Sequence, residues 1–201
     1  VDGLDFLPAP LIYEDVTEQL KDADELMAEL KAEYDYIIID SGADTPGIYD
    51  ALAGVSDEGI VVTFQQSTAI RAAEVTAGKL GSLGLENVRL VVNSYRQKGA
   101  KLKILPDVFE SVTRSGIPLL GVIPYTSKII ERQEKGILPL SQPKAFILPY
   151  EAAFGNIAKR ITGEKIPLFK NVSRFSLRKR YVSDEFLKKK AKASESNTQI
   201  D

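Results

Sequence analysis

The stretch YDYIIIDSGAD, residues 34–44, decides the reading of this chain. Four apolar or β-branched residues in a row, closed by an acid and a turn of small residues, read as a strand buried on both faces that ends in Asp40. On its N-terminal side, DVTEQLKDADELMAELKAEY spaces Val16, Leu20, Ala23, Met27 and Leu30 for one helical face. On its C-terminal side the alternation repeats. GIYDALAGVS reads as a short helix, EGIVVTF as a strand, and the run from Ser67 to the glycines at 81–84 as a helix. VRLVVNSY is a further strand, and residues 105–114 a helix stopped by Gly116. IPLLGVIPY is another strand, 126–135 a helix stopped by Gly136, and 150–161 an amphipathic helix. A short strand is expected at 4–7. Apolar strands alternating with amphipathic helices predict an α/β fold, a mostly parallel sheet with helices on both faces.

Composition narrows the chemistry. The 201 residues contain no cysteine and no histidine. Disulfides, thiolate-bound metals and imidazole catalysis are therefore excluded for these residues, which leaves carboxylates, Lys, Arg, hydroxyls, backbone amides or a hard oxygen-bound ion such as Mg²⁺. The net charge of −2 conceals an asymmetry: residues 1–166 carry 17 basic and 24 acidic groups, residues 167–201 carry 9 and 4. We therefore expect two parts, an acidic α/β body over 1–166 and a basic C-terminal tail over 167–201, with no specific nucleic-acid binding by the body. In the tail Leu168, Val172, Phe175, Val182 and Phe186 fall near one helical stripe beside Arg174, Arg178, Arg180 and Lys188. An amphipathic membrane-binding segment and a solvated basic tail both stand as readings, with disorder expected beyond Ala193.

In an open parallel sheet ligands bind beyond the carboxyl ends of the strands. Asp40 sits at such an end with Gly42 two residues on. Two readings remain open: a carboxylate that holds a Mg²⁺ water, with Gly42 admitting a backbone amide to a terminal phosphate, or a turn former that ends a strand.

Taken together, YDYIIIDSGAD, DEGIVVTFQQSTAIRAAE, VRLVVNSYR, GVIPYTSKIIERQEKGILPL and AFGNIAKRITGEKIPL resemble the MinD/ParA family of P-loop ATPases, the MinD branch above all, over roughly residues 4–168. The resemblance implies ATP and Mg²⁺ as cofactors. It implies Asp40 as the magnesium-linked, catalytic acid, and Gly42, Asn93 and Pro124 as nucleotide-binding positions, Asn93 and Pro124 at the adenine. It places Arg71 near a dimer face. It implies an ATP-dependent switch in spatial regulation such as division-site placement, with an ATP-bound homodimer, a regulatory protein partner, and a cytoplasmic protein held peripherally on the inner membrane face through an anionic lipid surface that meets the tail.

Two departures qualify this. Where the family has a Pro–Ala–Gly type turn, this chain has Gly42-Ala43-Asp44; Asp44 would repel a γ-phosphate unless it caps the next helix, which we expect. More important, no glycine-rich phosphate loop occurs in the 201 residues: TAGKLGS at 76–82 has Leu80 where a hydroxyl should hold Mg²⁺, and it lies within a helical pattern. The expectation is the C-terminal portion of such an ATPase, N-terminally incomplete, binding ATP poorly and hydrolysing none alone. The alternatives are a non-hydrolysing interaction module, or a related ATPase that controls other surface machinery.

Overall fold

The computed structural model describes residues 3–8, 23–42, 48–138 and 148–167. They fall into two units. One comprises Val1–Gly59 and Lys79–Asn87, the other Ile60–Gly78 and Val88–Asp201.

In the first unit, helix α1 (Ala23–Glu33) packs against helix α2 (Ile48–Val55). Ala23, Ala53, Leu80 and Leu85 are its buried apolar residues. Exposed ion pairs join Lys31 to Asp57 and Lys79 to Asp50, both at 3.1 Å. Such pairs contribute little in water. The N-terminal part of the helix expected before Ala23 lies outside the described residues, as do Asp44, its capping role, and the tail beyond residue 167.

Two expected strands are corrected here. Residues 4–7 and 34–40 form no ladder, and Ile38 is 88% exposed. An apolar β-branched run becomes a strand only when a neighbour takes up its N–H and C=O groups, and among the described residues none does. Tyr34 instead extends the last turn of α1, its N–H donating to Leu30 O at 3.0 Å.

The second unit holds the sheet. Strand β1 (Gly59–Thr63), which begins at the boundary of the first unit, leads into α3 (Ser67–Ser82). Strand β2 (Val88–Tyr95) is followed by the short α4 (Gln97–Lys101) and by α5 (Val108–Ser115). Strand β3 (Leu119–Pro124) leads into α6 (Ser127–Glu134) and then α7 (Pro149–Ile161). The strand order is β1-β2-β3, and β2 and β3 run parallel with Leu90 opposite Leu119 and Tyr95 opposite Pro124. The expected α/β class, a parallel sheet flanked by helices, is what the chain adopts.

Strands β2 and β3 carry the densest core. Leu90, Val92, Leu120 and Val122 are almost wholly buried, with Ile70 from α3. β1 is buried on one face only: Val61 and Thr63 are buried while Ile60, Val62 and the following Phe64 are exposed, because nothing among the described residues covers that face. Helix α7 lies on β3, where Ala152, Ala153 and Ile157 pack on Leu120, Ile123 and Val91. The contact needs Gly121: a methyl group built there would run into Cγ1 and Cδ1 of Ile157. The helix ends match their sequence signals. Asp107 and Glu110 form a reciprocal capping box at the start of α5, and Gly116 closes that helix in the left-handed region at φ 69°. Thr126 caps α6.

Candidate functional site

One cleft of the second unit is lined from the carboxyl edge of the sheet and the loops just beyond it. Phe64, Gln65 and Gln66 come directly after β1, Ser94 and Arg96 stand at the end of β2 with Leu105 beyond them, and Tyr125 comes directly after β3. The cleft encloses about 390 Å³.

One side chain ties this edge together. Gln65 is 2% exposed, its Nε2 donates to Pro106 O at 2.7 Å, and its Oε1 accepts the Arg96 N–H at 2.9 Å. A carboxamide is the one common side chain that both donates and accepts in this planar geometry, so glutamine suits the position. Across the cleft the Arg96 guanidinium lies 4.0 Å from the centroid of the Tyr125 ring, a cation–π contact that fixes the arginine without a carboxylate. Tyr125 N–H donates to Tyr95 O at 3.0 Å, which extends the β2–β3 ladder to the rim. Below the rim, burial and the Asp107 charge push the Tyr95 phenol up to about 12.

The residues singled out from sequence fall in two places. Asn93 and Pro124 lie at this edge, the former in β2 and the latter at the last position of β3. Neither lines the cleft itself; their neighbours Ser94 and Tyr125 do. Asn93 Oδ1 accepts the N–H of Ser94 at 2.7 Å and so holds Ser94 at φ 52°. Asp40 and Gly42 belong to the first unit and are exposed, and Asp40 makes no hydrogen bond or ion pair among the described residues. Arg71 is exposed on α3 and pairs with Glu74 at 2.6 Å. Sequence reasoning missed Gln65, Arg96 and Tyr125. Their only signal is position, each one or two residues past a strand whose end was readable. No group of three or more carboxylates among the described residues is placed to hold a metal ion.

No protein-family model matches the chain. It is 35% identical over 152 residues to the septum site-determining protein MinD of Bacillus subtilis, a match that covers 75% of this chain and 54% of the relative. It is 32% identical over 142 residues to the septum site-determining protein MinD of Synechocystis, covering 71% and 53%. The chain belongs to the MinD/ParA family. Among solved structures, the MinC:MinD cell division protein complex of Aquifex aeolicus superposes with a TM-score of 0.68 at 25% identity, over 82% of this chain and 64% of that one. The MinD-like chain thus spans about half the length of the curated relatives it matches. No helix among the described residues is long and apolar enough to cross a membrane.

Proposed function

We propose that this MinD-like chain contributes the base-binding edge of a nucleotide-dependent switch that takes part in placing the division site. The observation that carries the reading is the cleft at the carboxyl ends of three adjacent strands in a chain of this family.

The donor set fits a purine base. The Tyr125 and Phe64 rings offer faces for stacking, Gln66 brings a carboxamide to the cleft, Asn93 stands behind Ser94 and holds it, and the Gln65 fork keeps the rim in place. Pro124 presents the backbone that leads to Tyr125. The set does not supply phosphate binding. The sequence holds no glycine-rich loop, and the backbone amides of such a loop are what cradle a triphosphate. ATP with Mg²⁺ is the cofactor we assign to the complete site, where Asp40 would hold a magnesium water and Gly42 would let an amide approach the terminal phosphate. In that complete protein nucleotide binding would favour a homodimer, the dimer would engage a regulatory protein, and the basic tail would meet anionic lipid on the cytoplasmic face.

The test is nucleotide titration of the purified chain followed by NMR. Weak binding of adenosine and ATP alike, indifferent to Mg²⁺ and lost in Asn93→Ala, is the expected result. Perturbations that cluster away from Phe64, Ser94 and Tyr125, or an equal response to cytidine, would sink the reading and favour an interaction module without nucleotide.

A further inference from the structure

The turn that leaves α4 carries an unusual backbone. Ile104 N–H donates to Gly99 O at 3.0 Å, and Lys103 N–H donates to Ala100 O at 3.0 Å. This nested pair closes a helix through one left-handed residue, a position that glycine normally takes because a Cβ there is strained. Here the residue is Lys103, at φ 55°. In such turns the next residue usually packs back on the helix, but its partner position is Gly99, which has no side chain to receive it. Ile104 remains 73% exposed and Leu102 59% exposed.

Within residues 96–105 the charges are all of one sign. Lys98, Lys101 and Lys103 are exposed, and none has an ion-pair partner among the described residues. From Arg96 to Leu105 there is no acidic residue. Strain held by hydrogen bonds, two exposed apolar tips and three lysines without an ion pair among the described residues coincide within seven residues.

We infer that the turn at residues 98–104 is a lipid-contacting tip. Leu102 and Ile104 enter between the headgroups of an anionic bilayer, and the three lysines meet its phosphates. A protein partner fits less well, since lysine is depleted at protein interfaces and the exposed turn offers no groove. Nucleic acid fits less well still, because no aromatic ring is present to stack on a base. Lysine stems that lie along apolar surface with their ammonium groups outward suit a headgroup layer. The inference involves neither the basic tail nor the nucleotide reading.

The chain has no cysteine, so Ile104→Cys creates a single labelling site. An environment-sensitive fluorophore there should be quenched by phosphatidylserine-containing vesicles whose acyl chains carry bromine. The same label at Glu134→Cys on α6 should not be. Lys103→Gly relieves the left-handed strain and removes one charge, so it folds at least as well as the parent yet should weaken vesicle binding about fivefold. Leu102→Ser with Ile104→Ser should weaken it further. If the chain binds vesicles while the label at 104 stays unquenched, or if these substitutions leave binding unchanged, the inference is overturned and the contact lies elsewhere. It is equally overturned if the chain ignores anionic vesicles, or if only polyglutamate binds and these substitutions abolish that binding, which would assign the turn to an acidic protein.

Discussion

Gln65 Oε1 accepts the backbone N–H of Arg96 across 31 residues of chain, while the other end of the same carboxamide holds Pro106 O. Because Gln65 is buried, removing it strands two backbone groups. Gln65→Leu should cost about 2–4 kcal/mol, the penalty of leaving buried polar groups unmade. Gln65→Glu should be nearly as harmful, since a carboxylate cannot donate to the Pro106 carbonyl. Urea denaturation gives both values. A loss no larger than that of an ordinary surface mutation would mean that the rim does not depend on this fork.

Gly121 faces Ile157 with no room for a methyl group. Gly121→Ala should destabilise the chain by about 1–3 kcal/mol through overpacking. Adding Ile157→Ala should recover part of that loss, although Ile157→Ala alone leaves a cavity and costs stability. A double-mutant cycle measures the coupling, and strict additivity would refute the contact.

The Tyr95 phenol, pushed up to about 12 by burial first and Asp107 second, titrates above the ordinary value of 10.0 in the folded state. Between those values the unfolded chain gives up the proton more readily than the folded one. The stability contribution is therefore complete below pH 10 and is lost as pH rises towards 12, an effect on the order of 2 kcal/mol. Comparing unfolding of the parent and Tyr95→Phe from pH 9 to 11.5 isolates it. The variant should lack this part of the alkaline decline, and parallel curves would count against the burial argument.

Lys103→Gly should stabilise the protein by about 1 kcal/mol, because glycine adopts the left-handed region without the Cβ strain, less the extra entropy it carries when unfolded. Thermal melts settle the sign. Destabilisation would mean that the lysine stem makes packing contacts that outweigh the strain.

Much of the architecture was legible because it is local. VRLVVNSY coincides with β2 from end to end, since a β-branched run bounded by a turn has no competing period. Gly116 and Thr126 mark helix ends by their own conformational chemistry. The helix predicted from 105 begins at Val108, because Pro106 and Asp107 form its entry and cap. The reading failed where structure depends on a partner. Residues 34–40 have every intrinsic feature of a strand, yet pairing is a property of two segments, and one segment's sequence cannot supply the second. The five-residue α4 contains too few positions to display a period. The site divided along the same line. Asn93 and Pro124, which lie at the carboxyl edge without lining the cleft, were singled out through the family resemblance. Gln65, Arg96 and Tyr125 were not, because their meeting is made by three separate loops, and no spacing in the sequence records it.

The absent side chain at Gly121 also acts as a register lock. A slip of β3 by two residues would keep the same face towards α7, and hydrophobicity alone would tolerate it, for the strand is apolar throughout. Such a slip would bring Leu119 or Ile123 beneath Ile157, where not even a methyl group fits. The same lock sets how far along the strand Tyr125 emerges, and so where it meets Arg96. A missing Cβ in the middle of the sheet thus determines the alignment of a ring and a guanidinium at its rim.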